Sequence, residues 1–336
     1  MTSLIAGGCG FIGLATAEHL LAAGEDVVLF DLNELHPVAK RCFDGLPGNY
    51  TLVRGDIREL GPITQALGDH RIKHVYYGAA VTSGDDRERE FPELTIQVNL
   101  VGLAHTLKAA AKTGVERLIN ISSGAAYGHG AFGKTGWDGP LDEYGTREEP
   151  IKVYGMTKWG SERLTRRYAD LSGMSAVSVR LSTIWGPWEI DSGMRDTLSA
   201  PMQTAKLARA GKAAILPRRD HLDWTYSRHV AAALKALMNA PAENLKSDLF
   251  NVTSARQIAT LDICPKLAAA YPEFSYKLAG PNDSPTVNLW GDADRFPMSP
   301  NRLADEAGHR LPDDLDATMD DFVGWLSAYG DFWADT

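Results

Sequence analysis

Ser3-Leu4-Ile5-Ala6-Gly7-Gly8-Cys9-Gly10-Phe11-Ile12-Gly13, answered further on by Val27-Val28-Leu29-Phe30-Asp31, is the stretch that decides the fold. Leu4–Ala6 is a short apolar strand, the glycines make a turn, a helical pattern runs to about Ala23, and Gly24 stops it before a second strand. Glycines let the backbone turn tightly and approach a pyrophosphate, while a helix N-terminus offers N–H groups to it. Asp31 lies 18 residues past Gly13, at the second strand's tip, where a carboxylate accepts hydrogen bonds from the adenosine ribose hydroxyls. The stretch therefore reads as a dinucleotide site, with Gly7, Gly10, Phe11, Ile12 and Gly13 at the pyrophosphate and Asp31 at the ribose. Asp31 would repel a 2′-phosphate and no Arg follows it directly, so NAD is favoured over NADP.

The alternation continues. Strands are expected at Tyr50–Val53, His74–Tyr77, Arg117–Ile121 and Ala176–Arg180, with helices near Pro62–Leu67, Pro92–Lys112 and Val153–Leu171 between them. Such alternation implies a doubly wound parallel sheet with right-handed crossovers, an α/β Rossmann-type fold. Ligands bind beyond the carboxyl ends of its strands, so the glycine turn, Asp31, Asp56, Ala79-Ala80 and Ser122-Ser123 should gather in space. The division expected is a nucleotide-binding domain over 1–181 and a smaller C-terminal α/β substrate-binding lobe over 182–336, with returns to the sheet at elements such as Leu249–Val252. In that lobe, helices are expected near Asp196–Ala210 and Arg228–Met238 and a strand at Ala213–Leu216. Residues 128–150, rich in Gly and acids, read either as a cover for the site or as a plain surface loop.

Composition narrows the function classes. A chain of 336 residues with 44% hydrophobic and 23% charged content fits a globular enzyme with a large core. A net charge of −9 without a basic stripe argues against a nucleic-acid partner. No apolar run reaches the length of a membrane span, and strand-like sequence begins at Ser3 without a basic leader. Cys9, Cys42 and Cys264 are odd in number and not in metal spacing, so they read as reduced thiols of a cytoplasmic protein with no metal site.

Val153-Tyr154-Gly155-Met156-Thr157-Lys158 carries the chemistry. Tyr154 and Lys158 are four apart, hence one turn apart on one helix face. Lowering a phenol from pKa ~10 to about 7 takes roughly 4 kcal/mol of phenolate stabilisation. A neighbouring ammonium supplies it, and Pro150 just upstream puts Tyr154 in the first helical turn, where the helix field adds to the effect.

Assembled, these pieces resemble the extended short-chain dehydrogenase/reductase superfamily, in its NAD-dependent epimerase/dehydratase branch. The matching residues are Gly7-x-x-Gly10-x-x-Gly13, Asp31, Gly55-Asp56-Ile57, Ala79-Ala80, Asn99, Ser122-Ser123-x-x-x-Tyr127-Gly128, Pro150-x-x-x-Tyr154-x-x-x-Lys158-x-x-x-Glu162 and Arg180 through Gly186-Pro187, covering about the first 190 residues. The resemblance implies that Tyr154 is the general acid/base and that Lys158 lowers its pKa and binds the nicotinamide ribose. It implies that Ser123 hydrogen-bonds the reacting oxygen, that Ser122 and Asn99 line the cofactor side, and that Asp56 and Ile57 hold the adenine. Ala79 and Ala80 should pass close to the cofactor, and Ser83, Ser123 and Thr183 should face substrate. It further implies a homodimer through the helices Pro92–Lys112 and Val153–Leu171.

Departures from the family pattern narrow the reaction. Gly124 and Ala125 stand where dehydratases carry Asp-Glu, which argues against dehydration. Thr183 replaces a common Asn, and Leu222 stands at the position of an Arg that contacts a diphosphate; Arg218 or Arg219 could substitute only through a shifted loop. Trp185, Trp188, Trp224 and Trp290 offer aromatic faces for a sugar-like ligand, or else form core; Trp185 and Trp224 are the two expected at substrate. The sequence thus favours NAD-dependent hydride transfer at a hydroxyl or ketone carbon of a small sugar, sugar acid or polyol, with a Ser-Tyr-Lys relay. The rivals are a sugar-nucleotide epimerase with tightly held NAD and a non-catalytic NAD sensor.

Overall fold

The computed structural model describes residues 2–190, 193, 198–289, 291 and 293–333. Trp290 and the first residues of the helix expected from Asp196 lie outside the described residues. Among the described residues twelve strands are formed: β1 (Ser3–Ala6), β2 (Val27–Asp31), β3 (Tyr50–Arg54), β4 (His74–Tyr77), β5 (Arg117–Ser123), β6 (Ser175–Leu181), β7 (Thr183–Trp185), β8 (Ala214–Leu216), β9 (Leu222–Tyr226), β10 (Leu249–Val252), β11 (Gln257–Ile258) and β12 (Tyr276–Leu278). The α-helices are α1 (Phe11–Ala22), α2 (Pro37–Phe43), α3 (Leu60–Asp69), α4 (Asp85–Glu90), α5 (Pro92–Ile96), α6 (Gly102–Thr113), α7 (Val153–Ser172), α8 (Ala200–Arg209), α9 (Ser227–Asn239), α10 (Thr260–Ala270), α11 (Asn301–Ala307) and α12 (Leu315–Tyr329).

Seven strands make one parallel sheet in the order β3-β2-β1-β4-β5-β6-β10. The central strands are buried on both faces, as continuous apolar runs in a parallel sheet must be. Strand order reverses between β1 and β4, and the crevice outside their carboxyl ends is where such sheets take a ligand. This is the doubly wound Rossmann fold. β10, from the C-terminal half, returns to pair with β6, Leu249 opposite Ser178. The rest of that half builds a β11-β9-β7 sheet and a β12-β8 pair.

The long helix expected at 92–112 is present but not uniform: α5 and α6 are joined by a π-helical turn, Gln97–Val101. One core cluster joins the sheet to the C-terminal helices, and a second lies between the sheet and α3, α6 and α7. Trp185, Trp188 and Trp224 belong to the first. Trp188 packs edge-on to Phe43, Trp325 and Phe332, and Trp185 against Tyr226 and Phe322, so these rings are spent on each other. Among the described residues no helix is long and apolar enough to cross a membrane.

Candidate active site

The glycine turn is built for something other than protein to fill it. Gly7 has φ of +79°, and a Cβ there would lie 2.7 Å from the backbone nitrogen of Ala79. At Gly13 a Cβ would come within 2.1 Å of the Gly7 carbonyl oxygen, so both are required by the protein's own packing. Gly10 differs: it caps the N-terminus of α1 with φ of −86°, and a Cβ would meet only the Gly7 oxygen, at 3.3 Å. The space over Gly10 and the first turn of α1, Phe11–Gly13, is thus a cradle at a helix N-terminus, fitted to a pyrophosphate. Asp31 Oδ2 accepts from the Cys9 N–H at 2.9 Å, which fixes the acid beside the turn.

Two expected adenine contacts look different in place. Asp56 is held by Arg58, whose Nη2 donates to it at 2.5 Å, and that neighbour keeps its pKa below the usual carboxylate range. Ile57 is buried in the second core cluster and fills the space under Gly102, so its side chain is a packing residue. Ala79 and Ala80 are half-buried at the end of β4, with Ala79 against Gly7.

Tyr154 is in the first turn of α7. Lys158 is 4% exposed, its Nζ 5.7 Å from the centre of the Tyr154 ring, and donates to the Ile121 carbonyl at 2.7 Å. Burial pulls its pKa down to about 8, against an opposing pull from Glu162. Ser123 ends β5, and its Oγ accepts from the Ala125 N–H at 3.1 Å; among the described residues no acceptor takes its hydroxyl proton. The hydroxyl, phenol and ammonium therefore come from the end of β5 and one turn of α7, which pack together.

Three neighbouring side chains have partners within the protein. Asn99 Oδ1 accepts from Val81 N–H, and Nδ2 donates to Val81 O and Thr157 Oγ1. It acts as a pin, inside the π turn, between the loop after β4 and α7. Ser122 donates to Glu162 Oε1 of α7 at 2.6 Å. Glu162 in turn receives Arg180, which is wholly buried. Ser83 is buried and donates to Glu88, whose carboxylate also accepts from the Tyr154 backbone N–H, so its hydroxyl proton is spent.

A small recess opens beside Ser123, lined by Gly124, Ser182, Thr183, Asp223, Arg295 and Phe296. Thr183 is thus brought to the site. Trp185 and Trp224 are not presented there: each is at most 3% exposed, and Trp224 donates its indole N–H to Asp220, an interior partner. The indoles are core because β9 is the central strand of the second sheet, β7 pairs along it, and both side chains pack into the first core cluster.

Residues 3–253 match the model of the NAD dependent epimerase/dehydratase family. The chain belongs to that family. NAD is its cofactor, and it is an oxidoreductase/epimerase of the extended short-chain dehydrogenase type. It is 25% identical to the low-salt glycan biosynthesis protein Agl12 of Haloferax volcanii, over 97% of this chain and 93% of that protein. It is 28% identical to a dTDP-L-rhamnose 4-epimerase of Burkholderia thailandensis, over 80% of each. The structure of a UDP-glucose 4-epimerase of Thermotoga maritima with UDP-glucose superposes with a TM-score of 0.75 at 20% identity, covering 97% of this chain and 99% of that one.

Within an epimerase/dehydratase fold, two acids and one base were not anticipated from sequence. Glu88 in α4 accepts from the first turn of α7, and Asp223 is buried in the recess, where burial raises its carboxyl pKa. Arg295 lies in an irregular segment without periodicity, so only its position in space reveals it. Arg218 and Arg219, the possible substitutes for a missing diphosphate arginine, are paired with Asp294 and Asp262.

Proposed function

We propose that this chain is a sugar-nucleotide epimerase, oxidising and re-reducing one carbinol carbon of a nucleotide-linked sugar. The observation that carries the reading is the buried Lys158 ammonium, held by the Ile121 carbonyl one turn below Tyr154 and beside the end of β5. The nature of the relatives supports a nucleotide-linked substrate, and this replaces the small unattached sugar expected from Thr183 and Leu222 at the diphosphate positions. NAD bound along the strand ends supplies the hydride acceptor and donor. An epimerisation needs the same oxygen deprotonated and reprotonated, so Tyr154 must accept a proton and return it. Lys158 favours the phenolate by charge, and Ser123 donates its hydroxyl proton to the reacting oxygen and orients it. Gly124 and Ala125 bring no acid to expel water, so the retained hydroxyl is turned over, not eliminated.

In the same reading, residues 182–336 supply most of the substrate wall, and two copies of the chain pair through α5–α6 and α7. Ile96, Val101, Met156 and Trp159 are all 38–48% exposed on those helices, an apolar surface suited to a second copy. Three free thiols suit a reducing, cytoplasmic compartment. The test is incubation of the purified protein with UDP- and dTDP-hexoses, with proton NMR of the sugar and absorbance at the reduced-nicotinamide band. Epimerised product without net reduced cofactor supports the reading; steady net reduction with a free polyol and none of the nucleotides converted would overturn it.

A further inference from the structure

Among the described residues Arg295 is a cation without an anion. Its guanidinium makes no hydrogen bond or ion pair with any described residue, and the residue is exposed where it lines the recess. The nearby acids are already engaged. Asp294 is taken by Arg218 and the His221 N–H. Asp223, which lines the same recess, accepts from Thr253, Thr225 and the Met298 N–H. Other arginines of this half, at 218, 219, 228 and 302, all have carboxylate partners.

The backbone that carries the guanidinium is held in place. Phe296 N–H donates to Ala131 O at 2.9 Å, Leu141 N–H to Pro297 O at 2.8 Å, and Met298 N–H to Asp223 at 3.1 Å, so the backbone after Arg295 is stitched to both walls. The side chain lies 5.8 Å from the centre of the Phe132 ring. It is coupled electrostatically to Tyr154, and the surrounding protein otherwise lowers its pKa. Leu141, Leu222, Phe296 and Met298 make the recess largely apolar, where a charge-assisted pair is stronger than in water.

We propose that Arg295 is the specificity-determining residue of this pocket and takes a carboxylate carried by the sugar ring, so that the substrate is a nucleotide-linked uronic acid. The proposal rests on the nucleotide-sugar reading above for the nucleotide, and on Arg295 alone for the carboxylate. Position separates carboxylate from diphosphate. In a hexose nucleotide oxidised at C4, the diphosphate hangs from C1 across the ring, whereas the C6 carboxylate of a uronate sits on the carbon next to the reacting one. A cation coupled to Tyr154 and sharing a recess with Gly124, the neighbour of Ser123, meets the second group. A guanidinium fork matches a carboxylate bidentately, and an unmatched neutral CH2OH would leave that cation desolvated without a partner.

The test uses the NAD-loaded full chain and compares wild type, R295Q and R295K on UDP-D-glucuronate and UDP-D-glucose. The readout is the ratio of kcat/KM for the two. The expected result is a wild-type ratio well above one that falls about 100-fold in R295Q, the size of one lost charged hydrogen-bond pair, and that R295K partly keeps. A ratio unmoved by R295Q overturns the proposal, including the case where both substrates lose rate equally, which would place Arg295 on the shared diphosphate. Should the wild type convert neither nucleotide, the nucleotide reading fails, and calorimetric titration with free D-glucuronate and D-glucose decides the carboxylate. Glucuronate binding that R295Q abolishes sustains it; equal binding of both sugars, or none of glucuronate, removes it.

Discussion

Lys158 and Tyr154 stand one helical turn apart with the ammonium 5.7 Å from the centre of the phenol ring, and that ammonium is almost wholly buried. Its pKa is brought down to about 8 by burial. The charge that favours the phenolate is therefore lost as pH rises through about 8, and kcat/KM should fall above that point. The stability sign is the opposite. The folded pKa lies below the unfolded value of ~10.4, so Lys158 opposes folding below about pH 8, and that opposition fades as pH rises to ~10.4. K158M should thus be no less stable than wild type at pH 7 in urea denaturation while losing about 100-fold or more in rate; an active K158M would contradict the assignment.

Gly10 and Gly13 should respond differently to the same methyl group. G13A drives a Cβ to 2.1 Å from the Gly7 oxygen and should unfold the turn, lowering both melting temperature and NAD affinity. G10A has room in the protein and a common φ, so stability should change by less than about 1 kcal/mol. Its NAD affinity, measured by calorimetry, should still drop about tenfold or more, since the methyl enters the cradle.

Glu162 should be the most sensitive acid for stability. It receives Arg180 and Ser122 in the interior, and Arg180 is 0% exposed. E162A leaves a buried guanidinium with only Glu148, a loss of about 3–5 kcal/mol in chemical denaturation. Because Ser122 precedes Ser123, the rate should fall as well.

The apolar face of α5–α6 and α7 predicts association. Sedimentation velocity should show a dimer for wild type and a monomer for the double variant M156E/W159E, with an unchanged circular dichroism spectrum. A monomeric wild type at micromolar concentration would end the proposal.

Much of this was legible in the sequence because it follows from local spacing. The β1-turn-α1-β2 unit with Asp31, the Tyr154–Lys158 turn and the β5 terminus all rest on residues within one or two adjacent elements. What escaped depends on contacts between distant segments. The π turn at Gln97–Val101 inserts one residue into an otherwise helical period, and spacing does not show that Asn99 reaches Thr157 or that Ser122 reaches Glu162. Trp185 and Trp224 have the composition of a binding stripe, and only the pairing of β7 with β9 shows them interior. Arg295 had no periodic context at all.

The return of β10 to the side of β6 carries a practical consequence. A fragment ending at residue 181 would keep the nucleotide turn and most of α7's neighbours but strip the outer strand from β6, exposing a ladder of unpaired amides and carbonyls. It would also lose Asn251, the partner of the Tyr127 hydroxyl, and the carbonyls of Leu237, Met238 and Ala240 that receive Arg117. Such a fragment should aggregate, not bind NAD as an isolated module, so grafting a new substrate lobe onto this scaffold requires keeping α9 and β10 with the first half.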